Sequence, residues 1–156
     1  MHVTDCMRTK VYTIGVDEVL RTAMQIMAEH MIGTLPVIDA ERYVLGVLTM
    51  NDVLTQFMPH FVELMRSTDF VHDYGVLEAG RNAPHVVDKT VRDIMHPPYY
   101  VTPDSGLMAA MVLMSKLQVS EVPVVNDDNQ LIGIVSRVQV GSLFLKDWLS
   151  HFAKKE

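Results

Sequence analysis

The stretch GVLTMND, Gly46 to Asp52, has a near-copy further along the chain, GIVSRVQ, Gly133 to Gln139. Each opens on a glycine, runs through short apolar residues, and sets a hydroxyl residue three places before a polar one. The first ends in Asp, the second in Gln. Outward from there, a shift of 87 residues lays the chain on itself without a gap from Val16 to Val53. Asp17 meets Asp104, Leu20 meets Leu107, and Ala23 meets Ala110. Met24 and Met27 meet Met111 and Met114, and Pro36-Val37 meets Pro123-Val124. With one more residue of offset, VTDCM (Val3–Met7) matches VRDIM (Val91–Met95). A proline, a glycine and a methionine pair held in one register mark an internal duplication.

Each copy reads as β-α-β-β-α. VYTI and YYVT are short β-like runs, and Asp17 and Asp104 are expected to cap the helices that follow. Leu20, Ala23, Met24 and Met27 fall at i, i+3, i+4 and i+7, one apolar helical stripe. The matching helix, Leu107 to Leu117, is apolar on more sides and is expected to be buried more deeply, between lobes or at a partner. TLPVID and EVPVVN read as strands begun by a proline, which is tolerated at a strand start or edge. Turns follow at Asp39–Arg42 and Asn126–Asn129. YVLGVLT and QLIGIVS are the returning strands, each with a glycine that permits a bulge or a close backbone approach. A lone unit of this length cannot bury both faces of its sheet, whereas two pressed together can. The fold class expected is α/β, of the α+β kind, with two units packed as a pseudo-twofold pair around a cleft. The divisions are a first repeat at 1–58, a connection at 59–88, a second repeat at 89–147 and a tail at 148–156. The connection reads as a helix interrupted at Pro59 and then a mixed crossover, and the tail as an amphipathic helix whose Trp148, Leu149 and Phe152 are expected to dock on the chain itself or on a second copy.

The net charge of -6 argues against nucleic acid or an anionic membrane as partner, since both need clustered positive charge. No apolar run approaches the roughly 18 residues that span a bilayer. MHVTDCMRTK lacks the apolar core of a signal peptide. A single cysteine, Cys6, cannot form an internal disulfide, so a reducing, cytoplasmic setting is expected. It aligns with Ile94 and reads as a packed residue rather than a reactive thiol. There is no phosphate loop of the GxxxxGK[ST] type, no HExxH and no CxxC, and the seven histidines lack metal-ligand spacing. His72-Asp73, and His85 with Asp88, have no accompanying nucleophile. Neither an enzyme, a metal nor a cofactor is expected.

Thr49 and Asp52 sit where a strand runs into a helix. A carboxylate there can accept from two neighbouring hydroxyls, and a threonine hydroxyl both donates and accepts. The same pair also serves as a plain helix cap with its first-turn partner. The DxM leads, the LPVID and VPVVN strands and the GVLTxxD and GIVSxxQ segments together resemble a tandem pair of CBS domains, a Bateman module, over about residues 2 to 147. That resemblance implies regulatory binding of an adenosine-containing ligand in clefts between the repeats, with no catalysis. In such pairs the Asp holds the ribose hydroxyls, and the Thr or Ser approaches sugar or phosphate. Carried onto this chain, it implies a first pocket of Thr49, Asp52, Val119, Ser120, Glu121, Pro123 and Tyr99. The second would be Ser136, Gln139, Ile32, Gly33, Thr34, Pro36 and Val11.

Gln139 departs from the pattern. It offers one acceptor oxygen and an amide NH2, so it cannot accept two charge-assisted bonds from a diol. The pockets are therefore expected to be unequal, with the Gln139 pocket weak, empty or used by another ligand. Arg8, Lys10, His96 and Arg137 lie where a phosphate could be met. The candidate ligands are AMP, ADP, ATP and S-adenosylmethionine, and Glu121 beside the first pocket would favour adenosine, AMP or S-adenosylmethionine over ATP. The family implies a homodimer and an effector enzyme or transporter. The competing reading is a purely structural dimerisation or docking module whose clefts hold no ligand.

Overall fold

The computed structural model describes residues 1–57 and 86–152. The first unit runs β1 (Ile14–Gly15), α1 (Leu20–His30), β2 (Thr34–Ile38), β3 (Val44–Thr49) and α2 (Met50–Phe57). The second opens at Val101, which bridges Val124 in parallel where a first strand would lie. It continues with α3 (Leu107–Leu117), β4 (Glu121–Val125), β5 (Leu131–Ser136) and α4 (Arg137–Phe152). Short 3-10 turns at Val3–Asp5 and Val91–Asp93 precede the units. The expected helix across Pro59, His72-Asp73 and His85 lie outside the described residues. Asp88 is described, and its carboxylate meets Arg21 at 3.7 Å on the surface.

The β-α-β-β-α order is the one expected from the duplication. β1 is parallel to β2, and β2 is antiparallel to β3; β4 and β5 repeat the hairpin. Beside each glycine the ladder skips a residue: Val37 faces Gly46 but Ile38 faces Val44, and Val124 faces Gly133 but Val125 faces Leu131. Leu45 and Ile132 are the extra residues of two matching bulges. The prolines stand third in their strands rather than at the start. Pro36 lies opposite Val47, and Pro123 opposite Ile134. The N–H and C=O of Val47 turn away to His96, and those of Ile134 to Arg8. These are non-hydrogen-bonded pairs, so the ladder asks no N–H of the proline.

Those outward bonds reveal an exchange that the repeat pattern hides. The segment that leads the second repeat packs on the first, and the reverse. Val91 is fully buried among Leu20, Ala23, Met27, Leu35, Val37 and Leu48. Val3 is fully buried among Leu107, Ala110, Met114, Val122, Val124 and Val135. His96 N–H donates to the Val47 carbonyl at 2.9 Å and the Val47 N–H returns at 3.2 Å; Arg8 and Ile134 exchange the same two bonds at 2.9 Å each. The glycines make room for the crossing. A Cβ on Gly46 would lie 2.7 Å from the His96 carbonyl oxygen and 2.5 Å from Met95 Sδ, and one on Gly133 would lie 2.9 Å from the Arg8 carbonyl oxygen.

The same exchange replaces the expected aspartate caps. Neither Asp17 nor Asp104 bonds its helix: the residues before α1 and α3 are Val19 and Gly106, with no side-chain cap. The first N–H groups of α1 donate instead to the carbonyls of Lys89 (Leu20, 2.8 Å) and Val87 (Arg21, 3.1 Å). Backbone from the incoming segment satisfies these orphan donors, and Asp17 is left to pair with Arg92 at 2.8 Å.

A third cluster, Val44, Val125 and Leu131, joins the two sheets. Above it the hairpin turns meet: Leu131 N–H donates to the Arg42 carbonyl at 2.9 Å, and the Arg42 guanidinium returns two bonds to the Leu131 carbonyl, from Nη2 at 3.0 Å and Nε at 3.3 Å. The expected deep burial of α3 is not met within one chain. Its buried stripe is Leu107, Ala110 and Met114, matching that of α1, while Met108 and Val112 are 68% and 61% exposed. α4 runs unbroken into the tail, and Phe144, Leu145, Trp148, Leu149 and Phe152 are all exposed on it. Trp148, Leu149 and Phe152 therefore do not dock on the described chain.

Cys6 packs partly buried against the second core, and burial, then the neighbouring Asp5 charge, raises its thiol pKa. A raised pKa leaves less thiolate at a given pH, so iodoacetamide at pH 8 is expected to alkylate Cys6 more slowly than free cysteine, with urea restoring the rate. Gly46→Ala forces both the Met95 side chain and the His96 backbone to move. It is expected to cost about 1–3 kcal/mol in urea denaturation, and Gly133→Ala to behave in the same way.

Candidate functional site

Two clefts of similar size lie at the junction of the repeats, about 310 Å³ and 350 Å³. They are images of each other under the 87-residue offset. The first holds Thr49, Met50, Asn51 and Asp52; the second holds Ser136, Arg137, Val138 and Gln139 at the equivalent positions. Leu117–Ser120 close the first from across the junction, and Met31–Gly33 close the second. A larger open groove of about 730 Å³ runs along Thr13–Val19 and Ile38–Ala40, away from both motifs.

In the first cleft Asp52 is anchored by its own loop. Its Oδ2 accepts from the Thr49 backbone N–H at 2.7 Å and from the Thr49 hydroxyl at 2.6 Å, and the Asp52 N–H donates back to Thr49 Oγ1 at 3.3 Å. This is the reciprocal capping geometry that closes the first turn of a helix. Its Oδ1 lies 2.8 Å from His96 Nε2. His96 arrives there because its backbone is laddered to Val47, so the lead exchange brings residues 44 positions apart into one wall.

The second cleft keeps the backbone and changes the charge. Gln139 Oε1 accepts from Ser136 N–H at 2.8 Å, and Gln139 N–H donates to Ser136 Oγ at 3.1 Å. The carboxylate of this cleft is Glu121, the counterpart of Thr34, and it is paired with Arg8, the counterpart of His96. The acid has moved from the helix start to the strand start. Arg137 also lines this cleft, and its guanidinium donates to the Val119 carbonyl at 2.9 Å.

The expected residues are thus partly regrouped. Thr49, Asp52, Val119 and Ser120 come together in the first cleft, as do Ser136, Gln139, Ile32 and Gly33 in the second. Glu121 stands in the wall of the second cleft, not the first, and Thr34 in that of the first. The chain crosses the junction at Gly33–Thr34 and at Ser120–Glu121, so Gly33 and Ser120 line both clefts and the residue after each lines its own repeat's cleft. Applying the offset to the wall residues themselves would have revealed this. Pro36 and Pro123 are buried within their strands and line neither cleft. Val11 faces a narrow crevice beside the second cleft with Lys10, Tyr12 and Thr34.

Tyr99 is not in the wall. It packs against the second core with its hydroxyl buried and without a hydrogen-bond partner. Burial, then the negative charges of Asp52 and Glu121, push the phenol pKa far up. Of the four basic candidates, Arg8 and Arg137 line the second cleft, Lys10 lies over the Tyr12 ring at 5.8 Å, and His96 holds Asp52. The described wall of the first cleft has no lysine or arginine. Met50, Asn51, Leu117 and Gln118 complete it, and no expectation had singled them out. Among the described residues, no three His, Cys, Asp or Glu side chains gather as metal ligands, and no helix is long and apolar enough to cross a membrane.

The chain is similar to known proteins along most of its length. The family model of the CBS domain matches residues 3–58 and 91–140. Hypoxic response protein 1 of Mycobacterium tuberculosis is 27% identical over 150 residues, 96% of this chain and 90% of that protein. A homoserine O-acetyltransferase of Methanobrevibacter ruminantium is 29% identical over 141 residues, 90% of this chain; the chain spans about a quarter, 24%, of that relative's length. Among solved structures, CBSX2 of Arabidopsis thaliana in complex with AMP superposes with a TM-score of 0.69 at 27% identity, covering 93% of this chain and 96% of the other. With the duplicated β-α-β-β-α units in place, the chain belongs to the CBS domain family and carries its two domains as a pair, a Bateman module.

Proposed function

We propose that this CBS pair is a regulatory sensor that binds an adenosine-containing ligand in the Asp52 cleft and catalyses no reaction. The observation that carries this reading is the Asp52 carboxylate, held by Thr49 at the start of α2 and set in the wall of the cleft. An anchored carboxylate is preorganised to accept from a ribose diol, and bonds to a charged acceptor are about twice as strong as neutral ones. The neutral Gln139 has its one oxygen engaged by Ser136, so the second cleft is the weaker nucleoside site. CBSX2, solved with AMP, supports the ligand class.

The cleft's size and charge narrow that class. A volume of about 310 Å³ stands at the small end of ligand pockets, roughly 300–1,000 Å³. With no lysine or arginine in the described wall, adenosine or AMP fits better than ADP or ATP. Glu121 no longer bears on this choice, since it faces the other cleft.

The pair is proposed to act as a homodimer and to signal to an enzyme or a transporter. Met108 and Val112 on α3, with Phe144, Trp148 and Leu149 on α4, leave apolar surface that a monomer would keep in water. Light scattering at tens of micromolar is expected to give twice the chain mass of 17.6 kDa, and Trp148→Glu to shift the protein toward monomer. In titration calorimetry, Asp52→Ala is expected to weaken AMP binding by about five- to 150-fold, the effect of about 1–3 kcal/mol for a charged hydrogen bond, while Gln139→Ala leaves it near wild type. The opposite pattern would reverse the assignment of the clefts. AMP binding by neither cleft would favour a purely structural module.

A further inference from the structure

Both oxygens of Asp52 are engaged before any ligand arrives. Oδ2 is taken by Thr49, through the backbone N–H and the hydroxyl. Oδ1 meets His96 Nε2 at 2.8 Å. A diol that needs Oδ1 finds the imidazole already on it, in the same wall of the cleft. The carboxylate side chain is only 12% exposed, while the imidazole is 50% exposed. The histidine thus has open space to swing into, and the aspartate has little room for a third partner.

The His96 backbone cannot follow such a swing. Its N–H and C=O are both bonded to Val47, and it crosses Gly46 at a distance no side chain would permit. Pro97 and Pro98 come next and hold the chain extended. What remains free is rotation of the side chain. The other repeat carries the same device with different chemistry: Arg8, laddered to Ile134 in the same way, turns its guanidinium to Glu121, the carboxylate of its own cleft. In both clefts a basic side chain from the exchanged lead segment caps the local acid.

We propose that His96 is a built-in competitor for the Asp52 carboxylate, so that a ribose diol binds only by displacing the imidazole from Oδ1. This rests on the reading of the Asp52 cleft as the nucleoside site. It assigns His96 a role opposite to that of a phosphate contact: the histidine lowers affinity instead of raising it. It also makes the free protein's cleft self-satisfied, with no bare carboxylate awaiting a ligand.

Titration calorimetry with adenosine and with AMP separates these roles, on wild type, His96→Ala and Asp52→Ala. A partly exposed side-chain contact of this kind contributes little, so removing it is expected to tighten both ligands by about two- to fivefold. Asp52→Ala is expected to weaken both. If His96→Ala weakens AMP and leaves adenosine unchanged, His96 is a phosphate contact and the competitor is overturned; unchanged affinity for both ligands overturns it as well. If neither ligand binds wild type or His96→Ala, or if Asp52→Ala binds as wild type does, the nucleoside reading itself falls and this inference with it. Urea denaturation of the free variants, expected near wild type for His96→Ala, keeps a folding defect from passing as a binding effect.

Discussion

The crossing of each lead segment over the opposite repeat is the contact on which the rest of the molecule depends. Two pairs of backbone hydrogen bonds, His96 with Val47 and Arg8 with Ile134, fix it, and two glycines permit it. Val91 and Val3 then drop into cores made by residues far away in sequence. A duplicated chain that packed each lead on its own repeat would be two small units in loose contact. With the leads exchanged, each core contains a residue of the other repeat, and the two fold as one. The helix starts are affected too, since α1 receives its carbonyl acceptors from the incoming segment and not from Asp17.

The same crossing builds the clefts and makes them differ. It delivers one side chain to each cleft, His96 to the first and Arg8 to the second. Each finds a carboxylate, but the carboxylates stand in different places: Asp52 at a helix start and Glu121 at a strand start. Gly46, Thr49 and the helix that follows have close counterparts in Gly133, Ser136 and α4, so the backbone symmetry is nearly complete. The chemical symmetry is broken by Asp52 against Gln139 and Thr34 against Glu121, and by Met50 and His96 against Arg137 and Arg8. A ligand that needs a carboxylate below its diol and no strong cation beside it therefore distinguishes the two sites.

Much of this was legible in the residues, and what was not has a physical cause. Periodicity and a fixed offset located the helices and the hairpins, because these depend on side chains near one another in sequence; the glycines left a bulge and a close backbone approach open, and the structure has both. The capping of α1 was misread because an aspartate three places before a helix looks like a cap unless backbone from elsewhere takes its place. The lead exchange was hidden for a related reason: a duplicated sequence is silent on whether a segment packs on its own copy or on the other. That ambiguity explains the view of His96 as a phosphate contact rather than a partner of Asp52, while Glu121 and Thr34 were exchanged because the chain crosses the junction just before each of them. For α3 the apolar excess says that the helix needs cover but not where the cover lies: of the two places expected, between lobes or at a partner, the first is not found within the chain.

The central claim is that near-identical clefts have unequal roles, set by Asp52 against Gln139. A crystal structure grown with AMP tests it most directly. The account predicts AMP in the Asp52 cleft, its ribose hydroxyls on the Asp52 carboxylate and the His96 imidazole turned away from Oδ1. AMP seated only in the Gln139 cleft, or held equally in both with His96 still on Asp52, would contradict it.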